Sequence, residues 1–545
     1  MFSTANKFRD LLSTKGVTIA ILVLVIASRI IQLLFFYNIR VDGMYQVMAM
    51  QHFVHGHGIS VADVLPGDLS VVTYHPLINW PPGYSLLLAP FYLAFGHNYI
   101  AAGITMDILF SIVLIFTCRN ILKTLGLSLY LINCYTLLTG FFIYYFYLVA
   151  SSDAIAISFF VIAVNYFLLL LKKGSSPKLL AGILIPLFFC GLIKYLFIPL
   201  VFIPPVYLFL KGLADKNKSF TKAGLIIFSV LGIGLLAVLL YQKMTSGSAT
   251  YISEPSRGFF PENLKDAYPF IPASFIQPDT TGMLLRAETS GLQTISRIFQ
   301  FIHLLILALL ILFAFRQLFR YGLKRITLAG DFFWLLFLFA TGSMVLLGVL
   351  SLFVPKEENV PGSFWTYIEE PRYYGLINVL LHLAVFVLYI YMQGSPLKKR
   401  LIPLFLFLLL LMGPEMFRGI IFDAKRVLSY NKETYSWQTE YRLQRFADDI
   451  IKKETNQGAK EITVVTGSSY YLNYRVGLYS HAAVMSQSGK INDPAGLQSS
   501  KPTLLLAILE EKQLPGYELF LSGTEKKLAG FLNGFYFYTL HVNPH

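Results

Sequence analysis

The stretch VTIAILVLVIASRIIQLLFFYNIRVDGMYQVMAMQHFVHGHG, residues 17–58, decides the fold class. It is apolar from Val17 to Phe36, and about twenty such residues at ~1.5 Å rise cross the ~30 Å hydrocarbon core of a bilayer. The polar, basic segment MFSTANKFRDLLSTKG precedes the run. The run is too long for the core of a secretory leader and no clear small-residue cleavage site follows, so it reads as a retained first span. Just past it the chain becomes polar at Asp42 and then amphipathic.

The rest of the chain obeys the same solvent. Of 545 residues, 55% are hydrophobic and 14% charged, with a mean hydropathy of +0.61. Soluble domains carry about 25% charged residues, so the deficit points to lipid. Aromatics make up 15%, as expected where Tyr and Trp collect at membrane–water boundaries. Cys118, Cys134 and Cys190 all fall in apolar segments. They read as small core residues, with no paired spacing for a disulfide or a zinc site.

Apolar runs long enough to span lie near 17–37, 98–118, 127–148, 154–171, 223–242, 296–315, 332–354 and 375–392. Shorter runs near 179–193 and 196–210 flank Lys194-Tyr195 and read as a helical pair turning there; another lies near 401–413. Lys and Arg sort the sides: nineteen in one set of short connections against Arg40, Lys194, Lys356 and Arg372 in the other. This predicts a multi-pass cell (inner) membrane protein with a cytoplasmic N-terminus. The net charge of +14 is then mostly a topology signal, and no nucleic-acid partner is expected. Counting Pro82 to Gly96 as a span would invert every later loop, so that segment is expected to lie along the surface as an interfacial helix.

The expected architecture is an α-helical polytopic membrane protein of about eleven transmembrane helices. Residues 1–413 form the membrane domain with external loops 38–97 and 244–295, and residues 414–545 a small extracytoplasmic α/β domain. In that tail a helix is predicted over Tyr435 to Lys453, and strands over EITVVTG, LLLAIL, YELFLSG and FYFYTLHV. No convincing internal repeat is present, which weighs against an inverted-repeat transporter.

The polar residues that invite chemistry gather in the external loops. Asp42 suits a helix N-cap and equally suits a general base held at the membrane surface. Asp153 is either a second active-site acid or the cap of its helix. Lys194 and Arg372 are cations at external span ends, where positive charge is disfavoured. Each either clamps a phosphate or snorkels to lipid headgroups; Arg372 has a further alternative partner in Glu369 or Glu370, and Tyr373 or Tyr374 stands ready to stack or hydrogen-bond beside it. Asp107, inside a span, is costly to bury and so a candidate for function, and reads more readily as a structural hydrogen-bonding residue facing other helices. His52, His55, His57 and His75 match no specific metal site, and no nucleotide-cradling Gly loop lies on the cytoplasmic side. A metal-independent protein without a cofactor is expected.

Asp42, Gly56-His57-Gly58 and Trp80-Pro81-Pro82-Gly83-Tyr84, followed by Ser151-Ser152-Asp153 and Pro371-Arg372-Tyr373-Tyr374, resemble in order and placement the polytopic GT-C glycosyltransferases. The likeness is to the family 39-like branch that contains protein O-mannosyltransferases and the aminoarabinose transferase of lipid A. The resemblance covers residues 17 to about 392. It implies a polyprenyl-phosphate-linked sugar as donor at the outer membrane face, and a lipid, glycan or protein hydroxyl as acceptor. Direct displacement with inversion would follow, with Asp42 as base and Asp153 as a second catalytic residue. Lys194, Arg372, Tyr373 and Tyr374 would bind the donor phosphate, and Tyr45, His57, His75, Trp80 and Tyr84 would line the substrate pocket. Where the family pattern often has two adjacent acids, this chain has Asp42-Gly43. Two other readings are a lipid or polysaccharide exporter without transferase activity and a polysaccharide polymerase or ligase of different fold. An exporter calls for charged or broken helices at the bilayer midplane, whereas polar residues here concentrate outside the spans.

Overall fold

Apolar runs in this chain become helices because a backbone in lipid must satisfy its own hydrogen bonds. The computed structural model describes residues 9–36, 41–65, 67–142, 152–249, 259–261, 312, 327–353, 375–393, 398–429, 436–455, 462–467, 483–484, 491, 497–522 and 526–544. In chain order the helices are α1 (Lys15–Phe36), α2 (Val41–Val54), α3 (Gly83–Ala94), α4 (Tyr99–Thr124), α5 (Leu129–Gly140), α6 (Ser152–Lys173) and α7 (Pro177–Ile193). They continue as α8 (Ile203–Ala214), α9 (Lys218–Ser246), α10 (Leu328–Ser351), α11 (Gly375–Gln393), α12 (Lys398–Leu428), α13 (Ser436–Thr455) and α14 (Glu518–Ser522). Among the described residues, six helical stretches are long and apolar enough to cross a membrane: Lys15–Leu34, Tyr99–Thr124, Ser152–Lys173, Tyr195–Ala214, Lys218–Ser246 and Ile402–Leu428. Shorter apolar helices occupy Gly83–Ala94, Pro177–Ile193, Leu328–Ser343 and Gly375–Ile390. The protein is therefore a polytopic helical membrane protein with a small sheet-containing tail. The span expected near 296–315 lies outside the described residues.

The described residues fall into two compact units, one within 1–35, 104–241 and 248–429, the other within 36–103, 242–247 and 430–545. In the first, α11 is buried all round from Leu376 to Leu388, Asn378 and His382 included, as befits a helix apolar on nearly every face. Close packing depends on small residues. A Cβ on Gly182 would lie 2.5 Å from the Tyr166 ring, and one on Gly419 would overlap the Phe141 carbonyl. Lys211 is 6% exposed, with its Nζ 2.8 Å from Asp331 Oδ1, and the Tyr207 hydroxyl donates to the same oxygen at 2.6 Å. A residue that reads in sequence as a simple topology charge is thus half of a buried ion pair.

The second unit joins the polar loop after the first span to the tail. Strands β1 (Ser60–Leu65) and β2 (Asp68–Pro76) form an antiparallel hairpin. The tail contributes β3 (Ile462–Gly467), β4 (Ala483–Val484), β5 (Thr503–Glu510), β6 (Lys527–Leu532) and β7 (Phe535–Val542), in the order β4-β3-β5-β7-β6. β3 is parallel to β4 and β5, while β7 is antiparallel to β5 and β6. One sheet face packs on α13 through Leu443, Ala447 and Ile450 against Leu504, Leu506 and Phe537. The other face receives Val64 and Leu69 of the hairpin against Val464, Leu505, Ala507 and Leu540. With both faces covered, β5 is buried from Thr503 to Leu509, hence its unbroken apolar run TLLLAIL.

Two readings of the tail differ from the structure. YELFLSG was expected as a strand; Tyr517 ends a 3-10 turn and Glu518–Ser522 is helical. Tyr517, Phe520 and Leu521 all pack into the sheet face, and the 3- and 4-residue spacing is helical rather than alternating. The strand Lys527–Leu532 went unread. Its signal was Asn533-Gly534, with φ of 52° and 80°, the residue pair that a tight hairpin turn favours.

Candidate active site

The acidic loop begins with α2. Asp42 is its second residue. Met44, Val47, Met48 and Met50 are buried. The Ser85 hydroxyl donates 2.7 Å to the Gln46 carbonyl, tying α3 to this helix. Tyr45 stacks on Trp80 with ring centroids 5.1 Å apart, and Tyr84 is 1% exposed.

After α2 the chain reverses through Gly56 and Gly58, with φ of 88° and 72°. Side-chain-bearing residues rarely adopt that region, which explains the Gly-His-Gly pattern in backbone terms. The reversal places the exposed His57 ring flat on Tyr74, centroids 4.1 Å apart and planes 4° from parallel. His52 meets Tyr74 edge-on and its Nδ1 lies 2.7 Å from the Ser60 carbonyl oxygen. His75 is exposed on β2, its Nε2 3.0 Å from the Thr73 hydroxyl. Among the described residues no three His, Cys, Asp or Glu side chains converge in a way that could hold a metal ion.

The hairpin below this cluster is pinned to the tail. Asp68 Oδ1 accepts from the Ser70 N–H at 2.9 Å, the Ser70 hydroxyl at 2.6 Å and the Ser500 N–H at 3.0 Å. The Leu69 N–H donates to the Gln498 carbonyl at 2.9 Å. The Ser500 hydroxyl, then that of Ser70, together with the two N–H groups, holds the Asp68 carboxyl well below the usual carboxylate range.

In the membrane unit, Asp153 and Lys194 find each other. Asp153 is the second residue of α6 and Lys194 the residue that ends α7, with extended backbone at φ −140° and ψ 116°. The Lys194 Nζ lies 2.8 Å from Asp153 Oδ1, with side chains 11% and 1% exposed. A charge this deep persists only when matched. Sequence reading singled out both residues but did not foresee the pair. Asp107 is 3% exposed on α4, and Arg29, easily passed over inside an apolar run, is 1% exposed on α1. The Arg29 guanidinium donates to the carbonyls of Thr139 and Phe142 and to Gln32 Oε1, at 3.1–3.2 Å. It satisfies the carbonyls left open where α5 ends. Arg372, Tyr373 and Tyr374 lie outside the described residues.

No protein-family model matches this sequence, and no curated protein matches it. Among solved structures, that of ArnT from Cupriavidus metallidurans bound to undecaprenyl phosphate is similar with a TM-score of 0.54 and 10% identity, over 96% of this chain and 98% of that one. The oligosaccharyltransferase of Archaeoglobus fulgidus tethered with an acceptor peptide gives a TM-score of 0.49 and 11% identity, over 98% of this chain and 74% of that one. The likeness to ArnT, a GT-C glycosyltransferase, shows that this chain has the GT-C fold.

Proposed function

We propose that this chain is a glycosyltransferase that moves a sugar from a polyprenyl-phosphate donor to a hydroxyl acceptor at the outer face of the cell membrane. The observation that carries the proposal is the fold itself, matched along nearly the whole length of both chains to a protein crystallised with undecaprenyl phosphate. The sequence supports the same chemistry, because its candidate carboxylates and cations fall at span ends and in the first loop.

In this reading Asp42 takes the proton from the acceptor hydroxyl. The freed oxygen attacks the anomeric carbon, the bond from that carbon to the phosphate oxygen breaks, and polyprenyl phosphate leaves. One displacement inverts the anomeric centre, and a phosphate leaving group makes a metal unnecessary where cations meet its charge. Lys194, paired with Asp153 at 2.8 Å, is the cation that would meet the charge of the donor phosphate. Arg372, with Tyr373 and Tyr374, supplies the planar fork that phosphate favours. Tyr45, Trp80, Tyr84, His57 and His75 line the substrate side, Asp153 orients Lys194, and the acceptor is a lipid, glycan or protein.

The test is transfer from polyprenyl-phosphate-linked sugars by the purified full-length protein. Asp42→Asn is expected to lower turnover by roughly 10²–10⁴-fold, the usual contribution of a general base, while donor retention stays at the wild-type level. Undiminished turnover would remove Asp42 as the base.

A further inference from the structure

Arg29 of α1 and Asp107 of α4, both buried within spans, border one cavity of the membrane unit. It measures about 40 Å³ and lies between α1, α4, α5, α6 and α11. The two are the charged residues of its wall, one of each sign. Ser111, Tyr135, Thr136, Thr139 and Ser158, all hydroxyl-bearing, line it too, and apolar side chains close the rest. A charge inside a span is costly, and such residues face the bundle interior or a water-filled cavity.

Size and chemistry together decide what fits. Thr136 donates to the Ile132 carbonyl at 2.7 Å, Thr139 to the Tyr135 carbonyl at 2.9 Å and Ser158 to the Ala154 carbonyl at 2.9 Å. A hydroxyl has one proton and two lone pairs, so Thr139 and Ser158 still accept after their protons are spent. Arg119 donates to the Thr136 oxygen at 2.6 Å, and the Tyr135 hydroxyl pairs with the Cys118 sulfur. The Ser111 hydroxyl makes no hydrogen bond among the described residues. Asp107 adds a carboxylate, which accepts at about four positions. A cavity of about 40 Å³ excludes a sugar, a nucleotide or a lipid chain, whose sites run to roughly 300–1,000 Å³. A bare ion of either sign would meet a like charge in the wall, Arg29 or Asp107. Water can turn the right end to both.

We propose that this cavity holds about three ordered waters, since one water needs about 10–15 Å³ and two to four polar partners. They donate to the Asp107 carboxylate and to the Thr139 and Ser158 oxygens, and they partner the Ser111 hydroxyl. The cluster hydrates two opposite charges inside the membrane domain and so lowers the cost of burying them.

The test is radiolytic labelling of the full-length protein in heavy-oxygen water, with oxygen uptake at each side chain read by mass spectrometry. A hydroxyl radical made from a bound water attacks the side chains beside it, so label marks internal water where bulk solvent does not reach. Cys118 and Tyr135 are buried and line the cavity. Cys190 and Tyr207 are as deeply buried, lie outside its wall and serve as matched references. In the wild type, Cys118 and Tyr135 are expected to take up label several-fold faster than their references. Ser111→Leu fills the cavity and brings both rates down to those of the references, while Cys190 and Tyr207 keep their wild-type rates. If all four rates rise in Ser111→Leu, its packing has loosened and the wild-type comparison decides alone. Equal rates within each matched pair in the wild type would overturn the water cluster. So would fast labelling of Cys118 and Tyr135 that survives Ser111→Leu with the references unchanged.

Discussion

Asp153 and Asp68 are the same residue type held in opposite ways. In the membrane unit, Asp153 is matched by a full charge, Lys194 at 2.8 Å, with almost no exposure of either side chain. In the loop-and-tail unit, Asp68 is held by two serine hydroxyls and two backbone N–H groups, with water at hand. The difference follows from solvent. Burying an isolated carboxylate costs far more than neutral donors return, so only a cation suffices in the spans. At a wet surface a few oriented dipoles suffice to keep the carboxylate ionised. One contact is an ion pair whose halves depend on each other, the other a local clasp that joins two distant pieces of chain.

Breaking the ion pair gives the largest expected effect. Lys194→Ala leaves Asp153 buried and unmatched and costs about 3–5 kcal/mol, seen as a lowered thermal midpoint of the purified protein. Lys194→Gln combined with Asp153→Asn recovers most of that loss without restoring donor binding. Equal destabilisation by the single and double variants would show that charge matching is not what holds this site.

The joint between hairpin and tail is next. Leu69 is 1% exposed within the sheet's core, and Leu69→Ala is expected to cost roughly 2–5 kcal/mol. Hydrogen exchange along Thr503–Glu510 should quicken while exchange in α6 and α7 stays unchanged. Unchanged protection of that strand would mean that the hairpin only rests on the tail.

The smallest effect sharpens the comparison through pH. Burial, partly opposed by Lys452, raises the Asp448 carboxyl of α13 from 3.8 to about 6. Its favourable contribution is complete below pH 3.8 and is lost as pH rises through about 6. Asp448→Asn should therefore stabilise the tail by about 1 kcal/mol at pH 8, a figure reduced for partial exposure, and do nothing near pH 3. Asp68 runs the other way. Its carboxyl sits below the ordinary value of 3.8, so its stabilisation is full above that pH and declines as acid protonates it. A tail-specific unfolding signal followed from pH 8 to pH 3 reads both, and a variant effect independent of pH would contradict the assignment to Asp448.

How much was legible follows the same division. In the spans, length and apolarity dictate helices, and Lys194 marked the break between α7 and the next stretch because lipid tolerates no free cation there. What the sequence hid was pairing. Lys194 with Asp153, Lys211 with Asp331, and Arg29 with the end of α5 each join residues far apart in the chain. In the loop, Gly56-His57-Gly58 was visible as a pattern, but its cause, two left-handed glycines laying His57 on Tyr74, needed coordinates. The hairpin Ser60–Pro76 reads in sequence as a polar stretch, because its apolar residues alternate with exposed ones only in part and Leu65, Val71 and Tyr74 are themselves exposed. YELFLSG misled because a short apolar run fits either period, and neighbouring packing chose the helix.

The most direct test of the central claim is mass spectrometry of lipids that remain bound to the purified full-length protein. The account predicts polyprenyl phosphate or its glycoside among them, with the glycoside converted to free polyprenyl phosphate by wild type but not by Asp42→Asn once acceptor is supplied. Glycerophospholipids as the sole bound class, together with no release of polyprenyl phosphate from added donor, would contradict it.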